Sequence, residues 1–270
     1  PRPMSKYSMY GTFAELAVMS GLLAEAGFTC DRAIFDGDDG FWRMIAASGC
    51  DYGRLTGGWG QRWLVEDASF KLYPCCRFAH PALDMVLALQ RAHNLPPDEI
   101  EAIDIDMPRP AFSLRMHRRN VETAVDSQFD VAYQVATALL GEVPIGPAWH
   151  SAEARGNPRA AALADRVRMH PAPDGDRMAV EQIRATGRPL RFPWKVTIRA
   201  GGTELVEKRQ TADGDPWADA GYDDDTLIRK FNTYTEAYLP RATADAIIDV
   251  VLTLETRNRL VFPEMAIRRA

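Results

Sequence analysis

The chain has 270 residues, of which 46% are apolar and 26% are charged, so it can bury a sizeable core as one large domain or two small ones. Its formal net charge of −5 gives no basis for binding to nucleic acid or to an anionic membrane. The four cysteines lack zinc-ligand spacing, and we find neither a signal-peptide pattern nor an apolar run of about 18 residues, so we expect a reduced, cytoplasmic protein without a metal site.

The first sixty residues predict a helix, a turn and a second helix. Small and apolar residues on more than one side of residues 11–26 predict a helix that is buried among other helices, and Gly27 is typical of a helix end. Residues 41–47 predict a shorter helix. Residues 49–60 are rich in glycine but lack the G-K-[ST] of a phosphate-binding loop, so we interpret them as a connector.

Polar side chains gather next where an extended segment meets a helix. Residues 70–73 are predicted to be extended up to a proline, and the apolar run at 79–89 predicts a buried helix. Lys71, Arg77 and His80 are therefore expected at one junction, and binding groups are often presented on loops at the ends of such elements. The alternative interpretation is that the two cations are solvated and that the histidine caps or packs.

The middle of the chain predicts a strand and another helix. Residues 100–107 alternate apolar and acidic side chains, which is the pattern of a strand with one wet face. Asp104 and Asp106 then point the same way, and a solvated strand face is favoured over a metal site or an acid–base pair. A further helix is predicted at 129–140, ended by Gly141.

The remaining third predicts mixed structure followed by helices. The signal between residues 144 and 191 is broken by proline, glycine and arginine. The predicted elements are a helix at 157–165 capped by its asparagine, strands at 167–170, 194–199 and 204–209, and amphipathic helices at 223–238 and 243–255. A basic run at 115–119 is interpreted as a solvated loop, with an anion-facing loop as the alternative.

These elements predict an α+β fold with two domains. Residues 1–66 and 214–270 are expected to form a helical domain together, and residues 67–213 a smaller mixed α+β domain. The apolar faces of 11–26 and 243–255 are expected to be exposed in this chain alone. Since exposed apolar patches of that size mark interfaces, we expect a stable complex.

Several stretches, in order along the chain, carry a family resemblance. The most specific is K-x-Y-P-C-C-x-x-x-H at residues 71–80, followed by an apolar helix. The others are the K-x-x-x-x-G at 6–11 with G-F-T at 27–29, the D-G-x-x-G-F at 36–41, the S-Q-F-D at 127–130, and the G-D-P and K-F at 214–216 and 230–231. Together they resemble the MmgE/PrpD family, which includes 2-methylcitrate dehydratases, cis-aconitate decarboxylases and iminodisuccinate epimerases.

The resemblance implies a reaction class and a set of site residues. Such proteins act without a cofactor on small di- or tricarboxylates, and their reactions remove or return a proton α to a carboxylate. Lys6 and Lys71 match lysines that bind substrate in the family. His80 matches the motif histidine, which could orient substrate or relay a proton, and Arg77 is a further candidate carboxylate clamp.

The resemblance also implies that part of the machinery lies elsewhere. Family members are usually longer, so the chain is expected to correspond to their C-terminal portion, with an all-helical half preceding Lys6. That half would carry the aspartate and histidine that act as base and acid. The chain also departs from the pattern at Met9, where the family has histidine, and at Asp130, where serine is usual and an anion would face an anionic substrate.

Two functions therefore remain open. The first is a dehydratase-like lyase or isomerase subunit that contributes Lys6, Lys71 and His80 to a shared cleft, as a homo-oligomer or as a heteromer with a helical N-terminal-half subunit. The second is a non-catalytic partner that stabilises an active chain. A weaker hypothesis is a thiol hydrolase that uses Cys76 and His80, which requires the helix to include Cys76 already. Dehydration, decarboxylation and epimerisation are not distinguished.

Overall fold

A computed structural model describes residues 5–35, 37, 39–47, 49–114, 116–117, 121–186, 190–218 and 221–264. The described chain divides into two units, one ending at Glu66 and the other beginning at Asp67, and we describe each by itself. None of the helices in these ranges combines the length and the apolar character that crossing a bilayer requires.

Among its described residues, the first unit has three α-helices, α1 (Ser5–Glu25), α2 (Phe41–Met44) and α3 (Tyr52–Thr56). The predicted helix at 11–26 is thus confirmed and begins six residues earlier, and Gly27 ends it in the left-handed conformation with φ of +89°. The interpretation of residues 49–60 as a connector was wrong for part of that range, because its residues Tyr52–Thr56 form helix α3. Asp51 starts this helix by accepting a hydrogen bond from the Arg54 amide, which outweighs the glycine content.

Large apolar side chains of α1 are exposed on several sides of the helix. They are Tyr10, Phe13, Leu16, Val18, Met19 and Leu22. A helix of this composition needs a partner surface to exclude water from it. The prediction that α1 joins the last helices of the chain in one domain concerns the relation between the two units, and it stays a prediction.

The second unit is built on a four-stranded mixed sheet, whose order is β2-β1-β3-β4. The strands are β1 (Ile100–Met107), β2 (Val167–Pro171), β3 (Trp194–Ala200) and β4 (Thr203–Arg209). β2 runs parallel to β1, whereas β3 and β4 form an antiparallel hairpin beside it. Gly201 and Gly202 form the hairpin turn with φ of +55° and +72°, which is why two glycines stand there.

Nine helices accompany this sheet among the described residues of the second unit. They are α4 (His80–His93), α5 (Arg109–Ser113), α6 (Ala124–Ser127), α7 (Val131–Leu140), α8 (Ala152–Arg155), α9 (Pro158–Ala164), α10 (Gly175–Thr186), α11 (Asp224–Thr235) and α12 (Arg241–Leu252). The predicted mixed α+β character is confirmed. Residues 67–213 and 214–264 fall in the same unit, and the separate helical domain stays a prediction.

The core of the second unit lies between one face of the sheet and helices α4 and α7. Side chains of Leu83, Val86, Ile105, Val135 and Ile198 are fully buried there. The alternation in β1 is confirmed: its four buried apolar side chains face the helices, and the two aspartates lie on the opposite face. On that face Asp104 pairs with Arg199 and with His170, so the solvated-face interpretation of the aspartates holds.

The sequence did not predict α10. Prolines and glycines flank it, and most of its residues are polar and exposed, so the stretch carries few of the apolar side chains that mark a packed helix. The helix gains local support from Arg177, which pairs with Asp174 and Glu181 one turn away on either side. The predicted extended segment at 70–73 is also not a strand, because Phe70 donates its amide to the Gly214 carbonyl in a loop contact instead of a ladder.

Candidate functional site

Residues 69–80 fold as a turn that leads into α4. The amide of Cys76 donates to the Gln128 carbonyl at 2.9 Å, which holds the turn against the segment before α7. A short 3-10 turn over Arg77–Ala79 follows, and α4 begins at His80. This local geometry brings the predicted site residues of the second unit together.

Two ammonium groups lie at this turn. Lys71 donates from Nζ to the Cys75 carbonyl at 3.3 Å, and Lys230 of α11 donates from Nζ to the Lys71 carbonyl. Burial and the neighbouring charge of Lys71 lower the pKa of Lys230, which also lies 5.6 Å from the Tyr234 ring centroid. Within the described part of the chain, neither lysine has a carboxylate as an ion-pair partner. The pair is therefore an unneutralised positive site.

His80 lies beneath these cations and is fully buried. Its ring packs edge-on against Tyr73, with centroids 5.1 Å apart, and the Cys75 backbone interacts with it. Burial lowers the pKa of His80 well below its ordinary value, and the positive charges of Arg77, Lys71 and Lys230 act in the same direction. The imidazole is therefore neutral at physiological pH.

Arg77 forms an ion pair with Asp215, and both side chains are largely buried. Asp215 also accepts hydrogen bonds from the Ser69 hydroxyl at 2.6 Å and from the Ala212 amide at 3.0 Å. The carboxylate thus links the turn to the loop after β4. Because Asp215 already neutralises Arg77, a substrate carboxylate would have to displace it from the guanidinium.

The backbone conformation and close neighbours of Gly214 explain why the G-D-P stretch has a glycine there. Its φ of +85° lies in the left-handed region, and a Cβ built there would lie 2.4 Å from the Tyr222 ring and 2.9 Å from the Phe70 carbonyl oxygen. Its own carbonyl accepts the Phe70 amide at 2.9 Å. Only glycine allows this close approach, which sets Asp215 against Arg77.

A buried carboxylate that the sequence interpretation missed lies behind the turn. Asp84 of α4 accepts hydrogen bonds from the Tyr73 hydroxyl and from the Asp213 amide, each at 2.9 Å. Burial, with the negative charge of Asp213 second, raises the pKa of Asp84 to about 6. Burial also raises the pKa of Tyr222, whose hydroxyl is buried and has no hydrogen-bond partner among the residues described. The available signal was a lone charged residue in an apolar run, four positions after His80.

His150 was also missed. Its Nε2 lies 2.6 Å from the Pro74 carbonyl oxygen, and its Nδ1 lies 2.8 Å from the Ser127 hydroxyl, so the ring bridges the turn and α6. Burial lowers the pKa of His150. Ser127 is fully buried, so this pair supports the turn instead of offering a nucleophile to solvent. Its position within residues 144–191, where proline, glycine and arginine break the signal, left no clear pattern in the sequence.

Two of the predicted site features fall elsewhere. Lys6 belongs to α1 in the first unit, and its side chain lies outside the described residues; Met9 is exposed on the same helix. Asp130 was expected to place an anion opposite the substrate, and this stays a prediction. Its buried carboxylate caps α7 by accepting the Tyr133 amide at 2.8 Å, a role that serine can also fill.

The thiol hypothesis fails on geometry. Cys76 has extended backbone angles (φ −60°, ψ 136°) and α4 begins only at His80, so the two side chains are not one helical turn apart. Burial raises the pKa of the neighbouring Cys75 thiol far above its ordinary range. A reactive thiolate is not favoured at this turn.

The basic run at 115–119 is only partly visible. Arg115, Arg118 and Arg119 lie outside the described residues, so the solvated loop stays a prediction and the anion-facing loop stays its alternative. The ring of His117 stacks on Phe112 at 3.9 Å between centroids. No group of three or more His, Cys, Asp or Glu side chains that could hold a metal ion occurs in the ranges described.

A comparison with models of known protein families shows to which family the chain is related. The family model of the MmgE/PrpD C-terminal domain matches residues 73–256, which is more than half of the chain. The chain belongs to the MmgE/PrpD family. Members of this family are generally dehydratases or other lyases. No protein with a curated description matches the chain.

The MmgE/PrpD match covers most of the turn and its supports. Tyr73, Arg77, His80 and Asp84 lie inside the matched range, as does Lys230 on α11. The two lysines that the sequence predicted as site residues do not: Lys71 precedes the range by two residues, and Lys6 lies in the first unit. The part of the turn from Tyr73 onward therefore lies within the matched C-terminal domain.

Proposed function

We propose that the chain is a cofactor-independent, dehydratase-like lyase or isomerase subunit that acts on a small di- or tricarboxylate by proton removal α to a carboxylate. The observation that carries this proposal is the pair of ammonium groups at Lys71 and Lys230, which have no carboxylate partner among the described residues and lie over a neutral imidazole. Membership of the MmgE/PrpD family agrees with this reaction class.

The chemistry needs fixed positive charge. Removing a proton next to a carboxylate builds negative charge on groups that are already anionic, so cations held in place lower the barrier. Lys71 and Lys230 are anchored through their contacts with the turn backbone, and each retains ammonium hydrogens for a ligand. In this proposal Lys71 binds one substrate carboxylate and stabilises the charge that develops in the reaction.

His80 supplies an uncharged ring in this arrangement. A neutral imidazole has one bare nitrogen that can accept a proton, and the nearby cations keep it bare. Because the ring is fully buried, substrate reaches it only if the Lys71–Cys75 turn moves. His80 acts as a proton acceptor in the open turn or, if the turn stays closed, as a positioning residue; kinetics separate the two.

Arg77 and Lys6 complete the proposed binding set. Arg77 would release Asp215 and bind a second substrate carboxylate in its place, so the guanidinium would have one ion-pair partner before and after the exchange. Lys6 would contribute from the first unit. We further propose that the chain works as a homo-oligomer or with a helical N-terminal-half subunit, because the apolar side chains exposed along α1 need a partner surface.

The test begins with binding, which the chain can show alone. Calorimetric titration with citrate compares wild type with Lys71→Ala and Lys230→Ala. Each variant loses one charge-assisted contact, worth about 1.5–3 kcal/mol, so we expect affinity to fall about 10- to 100-fold. Arg229→Ala is the matched control: it removes one positive charge from the same helix, next to Lys230, at an exposed site outside the turn.

Turnover is then measured with the chain in complex with its helical subunit, since the family resemblance puts the acid and base there. We expect Lys71→Ala to abolish turnover of small polycarboxylates while the complex stays assembled. Full activity in the assembled Lys71→Ala complex would remove the turn from the active site, and the non-catalytic partner would then be the better description.

A further inference from the structure

A cavity of about 850 Å³ lies at one end of the sheet, where β1, β2 and β4 end and β3 begins. Its lining includes four basic side chains, Arg191, Lys195, Lys208 and Arg209, and three carboxylates, Asp106, Asp174 and Asp213. A volume of this size is typical of small-molecule sites. The cavity is lined by none of Lys71, Arg77 and His80, so it is separate from the turn described above.

Two positively charged side chains lie next to each other in the cavity wall. Lys195 of β3 and Lys208 of β4 are directly opposite in the antiparallel register. Side chains at such positions start about 5 Å apart on the same face, and like charges there repel. The repulsion falls if an anion binds between the two ammonium groups.

The carboxylates of the lining are already engaged. Asp213 pairs with Arg209 at 2.8 Å, and Asp174 pairs with Arg177 at 3.3 Å. Asp106 lies 4.0 Å from Lys195, at the outer limit of an ion pair. These aspartates therefore do not form a free acidic cluster that would attract a metal cation.

The basic side chains of the lining are not all paired with carboxylates in the described part of the chain. Within the ranges described, Lys208 has no carboxylate partner, and Arg191 makes a single side-chain hydrogen bond, to the Trp217 carbonyl at 3.0 Å. A guanidinium has five donors, so Arg191 has capacity for a ligand. The excess positive charge of the lining is therefore carried by Arg191 and Lys208, with Lys195 only weakly neutralised.

We propose that this cavity is a second ligand site, which binds a small dianion, either a phosphate group or a dicarboxylate, between Lys195 and Lys208 with Arg191 as a further donor. A dianion matches two facing ammonium groups, and the guanidinium adds the planar donor pair that suits both phosphate and carboxylate oxygens. The proposal rests on this cavity alone and stands or falls separately from the proposed function.

Calorimetric titrations of the full chain at low ionic strength test the site with two probes, inorganic phosphate and succinate. We expect one-to-one binding of at least one probe with a dissociation constant below about 1 mM. Lys208→Ala and Lys195→Ala should each weaken that binding at least tenfold, and Lys208→Arg should keep most of it. The probe that binds more tightly identifies which dianion the site prefers.

Two controls make the result specific. Arg199→Ala removes a positive charge from β3 on the same face as Lys195, but outside the cavity, and should leave affinity within about twofold. Arg241→Ala, at an exposed site on α12 that is also outside the cavity, should likewise leave this binding unchanged. All of these side chains are substantially exposed, so we expect the variants to fold, and circular dichroism verifies it. Absence of binding for both probes, or equal losses in Arg199→Ala and Lys208→Ala, would overturn the proposal.

Discussion

The hydroxyl of Tyr73 donates to the carboxylate of Asp84 at 2.9 Å, and both side chains are almost completely buried. The bond joins the residue before the motif proline to the second turn of α4. Asp84 also accepts the Asp213 amide, so one carboxylate ties the turn, the helix and the loop after β4 together. Loss of this carboxylate should loosen all three.

Because of Asp84, the free energy of unfolding should fall as pH rises, which is the opposite of the usual effect of a carboxylate. Its pKa is raised from 3.8 to about 6, so between those values the folded state binds more protons than the unfolded state. The free energy of unfolding therefore falls as pH rises through that window, by roughly 3 kcal/mol for this group. We expect urea unfolding of Asp84→Asn, measured from pH 3.5 to 7, to lack this fall.

Asn keeps the acceptor for Tyr73 but places an amide donor against the Asp213 amide, so the variant should also be about 1–3 kcal/mol less stable at low pH. Asp245→Asn, an exposed carboxylate on α12, serves as the control. Its difference from wild type should vary by less than about 1 kcal/mol over the same range. A parallel pH profile for wild type and Asp84→Asn would show that Asp84 titrates normally.

Gly214→Ala should destabilise the protein more than a backbone penalty alone explains. The left-handed φ costs an alanine about 1–2 kcal/mol, and the added methyl would also overlap the Tyr222 ring. Gly202→Ala is the matched control, because Gly202 has a φ of +72° but no atom within 4 Å of a built Cβ. We expect denaturant unfolding to give a loss at Gly214 at least about 1 kcal/mol larger. Equal losses would mean that the loop shifts freely.

The fold was largely predictable where local patterns agreed with packing. The alternation in 100–107, the two strands at 194–199 and 204–209 and the asparagine cap of α9 each have one favoured backbone solution, and each was found. The exceptions were α3, α5, α6, α8 and α10. The first four have only four or five residues, which is too short for an apolar period to show, and α10 lies in a stretch broken by proline, glycine and arginine.

The candidate site was only partly predictable. Lys71, Arg77 and His80 come close together because a single turn presents them, so their proximity followed from the sequence. The partners of that turn did not, because Asp215 and Lys230 approach it from far along the chain. Ion pairs between distant segments leave no spacing pattern, and they decide whether a cation such as Arg77 is free or neutralised.

Asp130→Ser should have almost no effect on stability. Serine caps a helix about as well as aspartate, so we expect the free energy of unfolding to change by less than about 0.5 kcal/mol. Asp130→Ala removes the acceptor for the Tyr133 amide and should cost about 1 kcal/mol. Citrate affinity, measured by calorimetry, should be unchanged in both. A marked gain in affinity for Asp130→Ser would support the expectation that this carboxylate repels substrate.

Lys71→Arg should recover only part of what Lys71→Ala loses. Arginine keeps the positive charge, but its planar guanidinium is larger and cannot place a single nitrogen next to the Cys75 carbonyl as the ammonium does. We expect citrate binding within about tenfold of wild type and turnover reduced more than binding. Turnover equal to wild type would show that charge alone matters at this position.

His80→Gln should distinguish proton transfer from positioning. If the neutral imidazole accepts a proton in the reaction, the variant loses kcat, with KM nearly unchanged, by about 10²- to 10⁴-fold. If the ring only packs beneath the turn, kcat and KM should change together and citrate affinity should fall as well. His170→Gln is the control, because His170 lies exposed on β2 beside Asp104.

The ionisation of His80 gives an independent measure. Because burial and three cations lower its pKa, the imidazole should stay neutral at pH 6, and nitrogen chemical shifts in NMR spectra can verify this. The unfolded chain takes up this proton near pH 6.5, so the ring contributes to a loss of stability as pH falls below that value. His80→Gln should remove that contribution. A wild-type imidazole that is charged at pH 6 would mean that a carboxylate, and not the lysine pair, dominates the surroundings of the ring.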